Sequence, residues 1–109
     1  MLQTVNLSVD SDTRPILAFF SSQRSGPARR MESPLAHLQH KERARLRISR
    51  VDVDSRPELA ERFGVKVVPT LLLIRDGRVV ARHEGRASMP QIERLIAAHL
   101  EELETAAVA

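Results

Sequence analysis

Ser25, in the run Arg24-Ser25-Gly26-Pro27-Ala28, is the first residue with a chemistry to offer. A serine hydroxyl attacks acyl groups only when a base is held beside it. The four histidines are His37, His40, His83 and His99. His37 and His40 fall on the helix expected to follow Ser25, but turns away from it. His83 belongs to a strand and His99 to the last helix. Ser25 therefore reads as a helix-capping hydroxyl. His37 and His40, at i and i+3, share a metal only if a third ligand joins them, and none lies near in sequence. Two exposed histidines and no metal are expected. His99 falls on an apolar stripe, as a partly buried, hydrogen-bonded histidine does. Gly26 and Gly77 have turn explanations rather than forming a phosphate loop. Arg24, Arg29 and Arg30 surround an expected helix N-terminus, whose N–H groups and dipole favour anions. They are candidate contacts for an acidic peptide or a carboxylate, with solvated arginines as the alternative.

No cysteine occurs among the 109 residues. Disulfides, thiolate catalysis and cysteine-based zinc sites are excluded. The length suits a single domain covering 1–109. With 42% hydrophobic and 28% charged residues, the chain can bury a core and stay soluble. No apolar run approaches the roughly 20 residues needed to span a bilayer. Met1-Leu2-Gln3-Thr4 shows no signal-peptide pattern, so a cytoplasmic location and no membrane partner are expected. The net charge is +3, and most of the 17 basic residues are arginine. Arg43, Arg45, Arg47 and Arg50 crowd one region, which can attract acidic surfaces or nucleic acid; a solvated helix end and strand edge is the plainer reading. With three Phe and no Trp or Tyr for base stacking, a nucleic-acid partner is not expected.

Strand and helix signals alternate along the chain, as in an α/β domain. Leu2 to Val9 reads as a short first strand and Ser11-Asp12-Thr13 as a turn. Pro15 to Phe20 is apolar on both faces, as in a buried central strand. Pro27 suits the first turn of a helix running to about His40, with Met31, Leu35 and Leu38 inward. Pro34 predicts a kink in it. Leu46, Ile48, Val51 and Val53 mark a strand whose apolar spacing changes between Ile48 and Val51.

Ser55-Arg56-Pro57-Glu58 reads as a capping box, Leu59 and Phe63 as inward residues, and Gly64 as the helix terminator. Thr70 to Ile74 is another buried strand, and Asp76-Gly77 a two-residue hairpin turn. Ser88-Met89-Pro90-Gln91 is a second capping box. Ile92, Leu95, Ile96, Leu100 and Leu103 follow as a stripe that must pack on the sheet. A frayed tail is expected over 105–109.

This order of elements, with the Ser-Gly-Pro-Ala loop and Val67-Val68-Pro69-Thr70, resembles the thioredoxin family. The likeness runs without a gap from about Pro15 to Leu100. Arg50-Val51-Asp52-Val53-Asp54, Phe63-Gly64-Val65, Asp76-Gly77 and Gly85 all fall in register. The resemblance implies a thioredoxin-like fold, a central mixed sheet of four to five strands flanked by about three helices. It also implies a cis bond between Val68 and Pro69, and a groove that pairs with an extended stretch of a partner. Groove residues would be Arg24, Ser25, Gly26, Pro27, Val68, Pro69 and Gly85.

The departures matter as much. Ser25 and Ala28 occupy the positions of the family's two redox cysteines. Phe19 stands where the family has a buried acidic residue, and Ser21 and Arg24 where it has tryptophans. Dithiol exchange needs thiols, so no catalytic residue and no cofactor are expected. The resemblance then points to a redox-inactive, bacterial, protein-binding member. The alternative is a thioredoxin-type oxidoreductase lineage whose loop cysteines have been lost or substituted.

Overall fold

Two apolar clusters on opposite faces of one sheet organise the chain. The computed structural model describes residues 3–4 and 13–108, with side chains described over 13–100. Expectations for Leu2, for 5–12 and for the Leu103 side chain fall outside these. The strands are β1 (Gln3–Thr4), β2 (Ile16–Ser21), β3 (Arg47–Asp52), β4 (Thr70–Arg75) and β5 (Arg78–Glu84). They form a sheet in the order β1-β3-β2-β4-β5. β3 runs parallel to β1 and β2, whereas β4 is antiparallel to both β2 and β5. The helices are α1 (Gly26–Arg30), α2 (Glu32–Lys41), α3 (Pro57–Arg62) and α4 (Met89–Val108). The backbone of α4 thus extends past Thr105, where a frayed tail was expected to begin.

Alternation within the strands assigns the faces. Leu17, Phe19, Ile48, Leu71 and Leu73 meet Ala28, Met31, Leu35 and Leu38, with Ile92, Ile96 and Leu100 of α4. Ile16, Ala18, Phe20, Val51, Leu72 and Ile74 meet Leu59 of α3 on the other face. β2 and β4 are covered on both sides, which is why their sequences are apolar runs rather than alternating ones. The changed spacing in β3 has the same origin: Ile48 faces one cluster and Val51 the other. Each fully buried large side chain stabilises the fold by about 1.5–3 kcal/mol.

The long helix after β2 is divided. α1 ends at Arg30 and α2 begins at Glu32. Pro34 has no N–H to return to the Arg30 carbonyl, so the i→i−4 ladder lapses there and resumes with Leu35 N–H donating to Met31 at 3.0 Å. Asp76 and Gly77 have φ of 53° and 76°, the two positive values of a type I′ turn, and Arg75 pairs with Arg78 across it. At Ser88 the capping box forms: Gln91 Oε1 accepts from Ser88 N–H at 2.8 Å, and Ser88 Oγ from Gln91 N–H at 3.4 Å.

The box expected at Ser55 does not form. Arg56 is the cap of α3 and makes no side-chain cap bond. The Ser55 hydroxyl instead donates to Asp52 at 3.2 Å, a carboxylate that also accepts the Asp54 N–H at 2.9 Å. An ionised acceptor outcompetes a neutral backbone cap for that hydroxyl. At the far end, Val65 N–H bonds the Ala60 carbonyl at 2.8 Å and Gly64 N–H the Glu61 carbonyl at 3.1 Å. With Gly64 at φ 65°, this is a Schellman termination.

Candidate functional site: the Ser25 loop and the cis-proline segment

The register brings four connections to one end of the sheet. Phe20 at the end of β2 pairs with Thr70 at the start of β4, and Thr70 pairs with Glu84 at the end of β5. Ser21 pairs with Asp52 at the end of β3. The Ser25 loop, the turn at Asp54, the segment before Thr70 and the segment after Glu84 therefore share that edge.

The loop leaves β2 through a tight turn, with Ser25 N–H bonded to the Ser22 carbonyl at 3.0 Å. Ser25 caps α1, its hydroxyl oxygen accepting the Ala28 N–H at 3.2 Å. Pro27, whose missing N–H costs nothing in the first turn, follows. No histidine is bonded to Ser25 among the described residues: His83 contacts the Arg86 carbonyl at 3.1 Å, and His40 lies 3.3 Å from Arg43. Its chemistry is that of a cap. Ala28, at the second cysteine position of the family pattern, is fully buried in the core.

Opposite the loop, the Val68–Pro69 peptide bond is cis. Thr70 donates its hydroxyl to the Val67 carbonyl at 2.7 Å, and Gly85 N–H donates to the Pro69 carbonyl at 2.8 Å. Pro69 is buried, Val68 packs partly on the α3-side cluster, and Val67 is 46% exposed. The segment thus has a fixed backbone and an apolar side chain open to solvent.

Of the three arginines read as anion contacts or as solvated side chains, Arg24 has a partner within the chain. Arg24 Nη2 is paired with Asp54 Oδ1 at 2.8 Å, so a carboxylate already neutralises it. Arg29 and Arg30 occupy the last turn of the five-residue α1, where cations favour the carbonyl end of the dipole. Arg30 reaches back toward Gly26, its Nη2 lying 3.8 Å from where a Cβ there would be.

Asp54 is the residue that sequence reasoning missed. Ser22 donates its hydroxyl to Asp54 Oδ2 at 2.6 Å, and with Arg24 on the other oxygen the carboxylate is held from two sides. The Ser22 hydrogen bond first, and the Arg24 hydrogen bond next, lower the Asp54 pKa below its ordinary 3.8. No local spacing announces the group, because its partners lie thirty residues earlier.

Phe19 is fully buried between the sheet and the α1–α2 side. Ser21 is 2% exposed, and its hydroxyl has no hydrogen-bond partner among the described residues. Both stand at positions where the family pattern has redox-supporting groups, and neither can move a proton to the loop in their place. The four crowded arginines do not form one surface either. Arg45 is held by Glu42 at 2.8 Å and Arg50 lies 3.0 Å from Glu32, while Arg47 is nearly buried. Among the described residues no group of three or more metal-ligating side chains is assembled. No helix of the described chain is long and apolar enough to cross a membrane.

The family model described as Thioredoxin matches residues 3–98. The chain belongs to the thioredoxin family. It is 34% identical over 92 residues to a thioredoxin of Haemophilus influenzae, covering 84% of this chain and 85% of that one. A Bacillus subtilis thioredoxin is 30% identical over 95 residues, covering 87% and 91%. Among solved structures, the germline-specific thioredoxin Deadhead of Drosophila melanogaster superposes with a TM-score of 0.75 at 30% identity, covering 80% and 82%. The thioredoxin-like fold follows from both kinds of match. This family member has no cysteine at all, so the thiol chemistry of a thioredoxin cannot run on its own residues.

Proposed function

We propose that this chain is a redox-inactive thioredoxin-like binding module that grips an extended stretch of a partner protein. The observation that carries the reading is the state of the segment facing the loop. Val67 is exposed, the Val68–Pro69 backbone is fixed by Thr70 and Gly85, and the redox groups beside it are replaced. An extended peptide laid along Val67 and Val68 gains backbone hydrogen bonds by strand addition. The Ser25 loop, capped and half-buried, forms the opposite wall. The expected partner is a protein or extended peptide, and the bacterial relatives favour a bacterial, cytoplasmic setting.

The test is capture of a partner from the native host, followed by binding of the purified partner to the isotope-labelled chain. Shifts centred on Val67, Val68 and Gly85, with binding lost in Val68→Asp, support the reading. Binding unaffected by Val68→Asp overturns it.

The second reading, an oxidoreductase lineage that has lost its thiols, is favoured by the relatives, which are named thioredoxins. Substituting cysteine at Ser25 and Ala28 separates the two. Robust insulin reduction by that double variant supports recent loss of an enzyme. Failure to turn over supports a site adapted to binding, as the Phe19 and Ser21 replacements suggest.

A further inference from the structure

Most basic side chains of the chain are already engaged within it. Arg24, Lys41, Arg45, Arg50 and Arg56 face carboxylates, and Arg82 reaches two backbone carbonyls. Arg29, Arg30, Lys66 and Arg86 differ. Each is exposed, and none has a hydrogen-bond, ion-pair or ring partner among the described residues. Of the 17 basic residues, only Arg78 and Arg94 share that state. Unengaged positive charge is therefore concentrated rather than scattered.

It is concentrated around the groove. On the loop side, Arg29 N–H bonds the Ser25 carbonyl at 3.0 Å, which sets Arg29 one turn below Ser25. Arg30 reaches Gly26 of the same loop. On the opposite side, Lys66 directly precedes the exposed Val67. Arg86 directly follows Gly85, whose N–H fastens the Pro69 carbonyl at 2.8 Å. The carboxylates of the connecting segments do not answer these cations. Asp54 is held by Ser22 and Arg24, and Asp52 accepts from Ser55, which leaves Glu84 against four positive charges.

We infer that the groove takes an acidic extended segment of a partner protein, with glutamate or aspartate on either side of an apolar residue that meets Val67. The inference rests on the groove reading above and names the chemistry of what that groove accepts. A segment added as a strand sends successive side chains to opposite sides, so one short stretch can reach cations on both walls. Arg29, Arg30 and Arg86 can each hold a carboxylate with a two-bond fork, and Lys66 can hold one as a point charge. Positive charge at a rim also draws in acidic segments and turns away basic ones. Single-stranded nucleic acid fits less well, because Val67 and Pro69 offer no ring on which bases could stack.

The experiment is titration of the isotope-labelled chain with two capped pentapeptides. One has a central valine flanked on each side by two glutamates, and the other has glutamine in place of every glutamate. The glutamate peptide should shift the amide signals of Val67, Val68 and Gly85 together with those of Arg29, Lys66 and Arg86. It should bind at least about tenfold more tightly than the glutamine peptide, the sum of several rim charge pairs. That advantage should fade as salt rises from about 50 to 300 mM. Replacing both Lys66→Gln and Arg86→Gln should weaken the glutamate peptide about fivefold and leave the glutamine peptide unchanged. Arg78→Gln, at the far end of the sheet, should change neither. All three positions are exposed, and unchanged spectra away from them will show that the fold is intact. Equal affinity for the two peptides, with shifts at Val67 and Val68, overturns the acidic preference while the groove reading stands. Shifts at the cations with Val67 and Val68 silent overturn both. An equal loss in Arg78→Gln overturns the inference too, because net charge rather than its placement would then set the affinity.

Discussion

Ser22 and Asp54, 32 residues apart in the chain, meet through a 2.6 Å hydrogen bond in which the hydroxyl donates to the carboxylate. With Arg24 on the second oxygen, this bond ties the exit of β2 to the turn after β3. The Asp54 carboxyl is lowered below its ordinary 3.8, first by the Ser22 hydrogen bond and then by Arg24. A group with a depressed folded pKa contributes stability that is full above the unfolded value and lost as pH falls through the folded one. Comparing thermal unfolding of the chain and of Asp54→Asn should therefore show a gap at neutral pH. The gap should shrink below about pH 4 and close in stronger acid, the window set by the ordinary and lowered values. A gap independent of pH would show that the charge is not what the two donors hold.

Ser25 acts on stability through its cap. Ser25→Ala removes the acceptor for the Ala28 N–H and should cost about 1 kcal/mol in denaturant unfolding, with an unchanged m-value. Ser25→Asp, which keeps an acceptor at the same place, should recover most of that loss. If Ser25→Ala is neutral, α1 is held by the burial of Ala28 rather than by its cap.

Ser21 carries a buried hydroxyl with no partner among the described residues. Deleting such a group removes a desolvation cost of about 1–3 kcal/mol while losing little packing. Ser21→Ala should leave stability unchanged or raise it, read from the midpoint of chemical unfolding. A loss of more than about 1 kcal/mol would mean that the hydroxyl is satisfied in solution.

Gly64 sits at φ 65°, where a Cβ would meet only Arg82 Nη2 at 3.9 Å, an ordinary contact. The cost of Gly64→Ala is then the backbone conformation alone, about 1–2 kcal/mol. A larger loss would point to an effect on the neighbouring cis-proline segment. Amide shifts confined to 62–66 would accompany the smaller one.

Sequence patterns made the scaffold legible wherever a residue's role is set by its near neighbours. The apolar runs of β2 and β4, the Asp76-Gly77 turn, the Gly64 stop and the Ser88 cap each follow from a few adjacent positions. The resemblance to thioredoxins then arranged them. What local spacing could not supply was competition and distance. Ser55 has the spacing of a capping box, yet Asp52 takes its hydroxyl. Arg24 has the look of an anion contact, yet Asp54 reaches it from across the sheet edge. The division of the long helix was readable from Pro34 because the missing N–H acts on a residue four positions away.

Arg82, on the edge strand β5, donates from one nitrogen to the Gly64 carbonyl at 3.2 Å and from the other to Phe63. Three residues on, Gly85 fastens the Pro69 carbonyl. The stretch from Gly64 to Pro69 is thereby stitched at both ends to a single strand, like a strap riveted to one beam. Its position depends on that beam as well as on its own Gly64 turn and the Thr70 hydroxyl. A change in how β5 seats against β4 would carry the whole strap with it, and with it the wall that faces the Ser25 loop.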